Sequence, residues 1–174
     1  MHCIAVAPAT PVRYGAAMNI TDALLGEHGV FHLLVEQLDD ALGRCTGLSE
    51  LRAAAEPLAI ALLGHARIEE EALFQPYEAQ TGSLGPLMCL RHEHQQMDQG
   101  LRALFRLTDF EAMRAQVVKM LDLTRRHLAR EEAVMFAAAR QALAAGQLEQ
   151  LGDEWARFRG VALTEVAAIP RAGD

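Results

Sequence analysis

Two pairs of residues carry the chemistry this sequence can do. His65 and Glu69 stand four positions apart, and so do His127 and Glu131. On an α-helix that spacing puts both side chains on one face, one turn and roughly 6 Å apart. One metal ion, or a bridged pair, can accept both groups. Each pair falls on the apolar stripe of its own helical pattern. A charged or imidazole group facing a core is costly unless it is paired or bound to metal. His28 and His94 occupy the apolar stripes of two further helical patterns. The candidate metal ligands are therefore His28, His65, Glu69, His94, His127 and Glu131. Imidazole and carboxylate donors suit iron, manganese and zinc. The competing reading is two buried helix salt bridges with two hydrogen-bonded core histidines.

Four long amphipathic helices are needed to position this set. The spacing predicts the first over about Asn19–Leu42, with Leu25, His28, Phe31 with His32, Val35, Leu38 and Leu42 on its inner stripe. The second is expected over Ser49–Ala79, with Ser49 as a plausible N-cap. Pro57 either kinks it or opens its main part. Its stripe is Leu58, Leu62, His65, Glu69, Leu73 and Pro76. The third runs from Pro86 to Leu107 and carries Leu90, His94, Met97, Leu101 and Leu104. Thr108 and Glu111 form a capping-box pattern that starts the fourth. Its stripe is Met113, Val117, Met120, Thr124, His127, Glu131, Val134 and Ala138, and Gly146 ends it. A shorter fifth helix over Gln147–Ala168, with Leu151, Trp155, Phe158 and Leu163, is expected on the outside. Short loops make neighbouring helices antiparallel. The fold class is all-α: an up-down-up-down four-helix bundle with a short additional C-terminal helix. Residues 1–19 read as an irregular N-terminal arm and 20–174 as one domain. Met18 is a candidate start.

The chain has 174 residues, net charge −7 and three scattered cysteines without a CxxC. One domain of that length buries a core without staples. No basic footprint for nucleic acid or polybasic membrane patch is present. No apolar run reaches a membrane span, and no signal peptide is read. The cysteine usage fits a reducing, cytoplasmic setting.

The heights of the ligands agree in the first half. His28 lies 15 residues before Gly43 and His65 lies 16 after Ser49. In the second half, His94 is 13 before Leu107 while His127 is 18 after Asp109. That five-residue offset is about 7.5 Å of helical rise. The two halves echo each other all the same. Glu27-His28 leads to His65-x-x-x-Glu69, and Glu93-His94 leads to His127-x-x-x-Glu131.

The segment from His65 through Glu69, Glu70, Glu71 and Phe74 to Pro76 resembles the second-helix signature of the hemerythrin-like cation-binding (HHE) domains. The segment from His127 through Glu131 and Glu132 to Phe136 is similar to the fourth-helix signature. Glu27-His28 and Glu93-His94 are similar to the first- and third-helix motifs. The resemblance covers about residues 20–145. Ala137 departs from it, standing where the family often has Pro. The resemblance implies two non-haem iron ions bridged by Glu69 and Glu131. The expected function is binding of oxygen or another small gas, for storage, delivery or sensing. Imidazole-rich ligation favours such a binding protein over an enzyme, although that choice stays open. The alternatives are a stress protein handling nitric oxide or peroxide, iron–sulfur repair, and iron sensing or storage.

The neighbours of the set are read as follows. His32 is one turn from His28 and is a further candidate metal ligand, with a supporting or surface role as the alternative. Asp98 holds the equivalent place after His94 and is a candidate carboxylate ligand or hydrogen-bond acceptor. His92 is turned some 200° from His94 and should be exposed. Glu70, Glu71 and Glu132 should face solvent; so should Glu27 and Glu93, with support of the adjacent ligand sphere as their alternative. Met97, Met113 and Met120 read as core. Tyr77 and Trp155 read as packing, and Cys89 as a buried thiol.

Overall fold

The structure is a computed structural model that describes residues 18–161. Among those residues every regular element is helical. Helix α1 spans Ile20–Arg44 and α2 spans Leu48–Glu69. A π-helical turn, Glu70–Phe74, carries α2 without a break into α3, Gln75–Thr81. Helix α4 spans Gly85–Leu104 and α5 spans Phe110–Arg130. A second π-helical turn, Glu131–Met135, carries α5 into α6, Phe136–Ala142. Helix α7 spans Ala145–Arg159.

Helix α1 packs on α2, and α4 packs on α5. Helix α7 lies against α1 and the first π turn. Gly152 makes that docking possible, since a side-chain carbon there would collide with the Met18 carbonyl oxygen. The expected residues Leu163 to Ala168 of this helix lie outside the described residues, as do residues 1–17 of the arm.

The ends obey local capping, with some corrections. Asn19 caps α1 by accepting from the Asp22 amide. Gly47, not Ser49, precedes α2, and Glu50 instead reaches back to the Thr46 amide at 2.9 Å. Pro57 sits inside α2 without ending it. Asp109, not Thr108, caps α5, because its carboxylate accepts from Ala112 at 2.7 Å. The fourth rod ends at Ala142, and Gly146 belongs to α7.

The apolar stripes hold up to the two π turns and then slip. Each turn inserts one extra residue, so every later side chain rotates by about 100°. Tyr77 is buried where Pro76 was expected inside. Met135 and Ala139 are buried where Val134 and Ala138 were expected, and Val134 is exposed. Leu25 is also exposed, since Leu24, one turn before His28, fills the inner face.

Buried apolar residues form two clusters. One gathers Phe31, Val35, Leu58, Leu62, Met97, Met113 and their neighbours near the α1–α2 and α4–α5 connections. The other gathers Ile20, Leu24, Phe74, Tyr77, Leu90, Phe136 and part of α7. Between them each of the four rods contributes a polar residue to the interior.

Candidate metal centre

The six expected ligands come together midway along the bundle. His28, His65, Glu69 and Glu131 offer donor atoms within 4.8 Å of one another, and so do Glu69, His94, His127 and Glu131. The two sets share both carboxylates. A Glu69 oxygen lies 3.1 Å from His65 Nε2 and the other lies 3.3 Å from His94 Nε2. A Glu131 oxygen lies 3.3 Å from His127 Nε2 and 3.5 Å from His28 Nε2. Each carboxylate thus spans both halves. Both glutamates stand where α-helix gives way to a π turn, a placement common at functional sites.

The rings meet edge to edge. His28 and His65 approach Nε2 to Nε2 at 3.1 Å, and His94 and His127 at 3.0 Å. The offset expected for the second pair is therefore absorbed away from the site, where the 105–109 connection joins α4 to α5. Outer nitrogens are held by carboxylates, of which Glu132 is expected in solvent and Glu27 and Glu93 have solvent as the favoured of two expectations. His65 Nδ1 meets Glu27 at 2.7 Å. His127 Nδ1 meets Glu93 at 3.1 Å, and His28 Nδ1 meets Glu132 at 3.0 Å. A carboxylate on Nδ1 fixes the N–H there and leaves Nε2 as a lone pair.

Those carboxylates are anchored in turn. Glu27 accepts from Trp155 Nε1 and from Arg159, both on α7. The indole is thus a donor as well as packing. Glu93 accepts from Arg130. Glu132 also meets His32 Nε2 at 3.2 Å. The twin Glu-His dipeptides were the signal for Glu27 and Glu93. Nothing local marked Glu132, which reaches His28 across 104 positions of sequence.

Aromatic rings seal the cluster. Phe74 stacks on His94 at 5.5 Å, Phe136 tilts against His28 at 5.2 Å, and Phe31 meets His65 edge-on at 4.7 Å.

The remaining candidates stand apart. His32 belongs to neither donor set and is about half exposed. Asp98 pairs with Arg102 at 2.8 Å. His92 is exposed and meets Gln96. Glu70 pairs with Arg91 and Glu71 with Arg67, so neither is simply solvated. Cys89 is exposed beside Arg130 rather than buried, because the neighbouring turn of α4 faces outward there.

Protein groups alone leave this centre in conflict. Among the described residues, all four oxygens of Glu69 and Glu131 are buried with only the facing imidazole nitrogens beside them and make no well-directed hydrogen bond. The sequence-equivalent carboxyls are driven apart. Burial works to raise Glu69, but His65 and the other imidazoles hold it well below the usual range. Burial, with the Glu69 charge beside it, pushes Glu131 well above. Among the rings, burial opposes charge on His65, yet Glu69 and Glu27 raise it to about 9. Burial and the charge of His94 push His127 down to about 3. Like charges confined together cannot all ionise. Cations between the facing lone pairs would relieve both the repulsion and the orphaned oxygens. The residues present therefore fit a metal centre.

No helix among the described residues is long and apolar enough to cross a membrane. Neither a curated protein nor a solved structure matched the chain. The family model described as hemerythrin HHE cation binding domain matches residues 19–139. That stretch contains all six clustered His and Glu residues, and the chain belongs to the hemerythrin family of HHE cation-binding domains.

Proposed function

We propose that the cluster holds two non-haem iron ions, bridged by Glu69 and Glu131, and that the protein reversibly binds a small gas such as oxygen. The carrying observation is the pair of donor sets that share two carboxylates with no other partner. One ion would take His28 and His65, the other His94 and His127. Four protein donors per ion leave positions open, as in other imidazole–carboxylate iron sites. Iron there supplies reversible electron transfer to the gas.

The chain's own part is to orient and exclude. Glu27, Glu93 and Glu132 keep three imidazoles in the metal-binding tautomer. Phe31, Phe74 and Phe136 limit water and leave no room at the centre for a bulky substrate. On this reading His32 supports Glu132 instead of ligating. The four rods are read as an up-down-up-down bundle within a single domain, 20–174, that follows the arm of residues 1–19. The protein is read as cytoplasmic, in keeping with the free Cys45 and the exposed free Cys89.

Elemental analysis, with absorption spectra of the reduced protein before and after air, tests the proposal. Two irons per chain and a reversible ligand-dependent band are expected. A single zinc, or no metal after iron reconstitution, overturns it. Two irons that oxidise irreversibly without a bound gas keep the metal assignment and remove the gas-binding one.

A further inference from the structure

Three of the four clustered imidazoles have a carboxylate on Nδ1. His94 has none among the described residues: its recorded polar contacts all run through Nε2. It is also the most open of the four. Its side chain is 12 % exposed, against 0–2 % for the other three. With Nε2 turned to the metal centre, the ring proton belongs on Nδ1 and needs an acceptor.

His94 lines a surface groove of about 500 Å³ between α2 and α4. That volume lies in the range of small-molecule sites. Leu62, Leu63, Ala66, Met97 and Leu101 give the groove its apolar lining. Its acidic residues are already neutralised. Arg91 takes both oxygens of Glu70, and Arg102 takes both oxygens of Asp98. Arg67 and Arg91 also line it. An anion with an apolar body therefore meets no unpaired negative charge here.

We propose that this groove binds an apolar carboxylate whose carboxylate group accepts the Nδ1–H of His94. The ligand supplies from outside what Glu27, Glu93 and Glu132 supply to the other three rings. Its chain lies on the Leu62–Leu101 wall. Bound there, it touches the outer edge of one metal ligand without entering the centre. The proposal rests on the metal reading only for the proton position on His94.

Calorimetric titration of the full chain as isolated, with octanoate and with octanol, tests this. One octanoate per chain is expected to bind, with octanol at least about tenfold weaker. Leu63→Glu, at an exposed position, and Ala66→Trp, which fills the groove, should each weaken octanoate about tenfold or more. Metal content measured on the same samples should stay at the parent value. No saturable octanoate binding at millimolar concentration overturns the proposal. So does octanol binding equally well, or octanoate binding unaffected by Leu63→Glu in a variant with normal metal. If octanoate binds as expected to a protein that proves to hold no metal pair, only the metal reading falls.

Discussion

The α1–α2 hairpin and the α4–α5 hairpin carry the same ligand order, yet they are supported differently. On the first, His65 is held by Glu27, which is gripped by Trp155 and Arg159 of α7. On the second, His127 is held by Glu93, which is gripped by Arg130 of its own hairpin. His28 leans on Glu132 from the opposite hairpin, while the outer edge of His94 has no carboxylate among the described residues and borders the stacked Phe74 and an open groove. Phe31 covers the first pair, and Met97 holds the equivalent position on α4. Duplicated motifs thus set the inner ligands equally, whereas the surroundings make one half closed and the other accessible.

Removing a shared carboxylate should erase the difference by disabling both halves. If the proposed pair of ions is bound, Glu69→Ala is expected to drop metal content to one ion per chain or fewer. Losing a cation held at about 1,000 times its Kd costs roughly 4 kcal/mol. For a chain of this size that is a fall in Tm of about 10 °C. Unchanged metal and Tm would place the site elsewhere.

Glu27→Ala and Glu93→Ala should separate the hairpins. Loss of a carboxylate that orients a metal-bound imidazole costs about 10–100-fold in affinity. Only Glu27→Ala should also loosen α7, which the fluorescence of Trp155, the single tryptophan, reports directly. Equal fluorescence changes in both variants would break the distinction.

Acid provides a gentler probe of the same contact. Burial favours the neutral form of Glu27, but hydrogen bonds from His65, Arg159 and Trp155 outweigh it and hold the carboxyl at about 2 against an ordinary 4.5. A depressed carboxyl stabilises the fold above its unfolded value and loses that contribution as pH falls through the folded one. The stability gap between the parent and Glu27→Gln should therefore be full above pH 4.5 and shrink toward pH 2. A gap that stays constant across that window would detach Glu27 from the fold's acid response.

The smallest effect belongs to His92. It is exposed, meets Gln96 and belongs to neither donor set, so His92→Ala should leave the metal content unchanged and shift stability by no more than about 0.5 kcal/mol. Loss of metal in that variant would mean that α4 is rotated from its described register.

Periodicity made the four rods and the six inward His and Glu residues legible, because a polar residue at a stripe position stands out against its apolar neighbours. The i, i+4 pairs His65–Glu69 and His127–Glu131 need no tertiary information to share a face. The π turns were hidden, since an extra residue within one turn leaves no compositional trace. That is why the stripe points to Val134 and Ala138 while the fold buries Met135 and Ala139.

The sequence by itself determined the helical class and the order of the inward His and Glu residues, since these depend on local spacing and on the cost of burying charge. Only the tertiary structure decided what lies behind each ligand. Glu27, Glu93 and Glu132 read as surface residues along their own helices. They turn inward because neighbouring rods bring His65, His127 and His28 within hydrogen-bond reach. His94 lacks such a neighbour for the same reason: which carboxylate meets which ring depends on helix packing across the bundle, and helical spacing along one strand of sequence does not encode it.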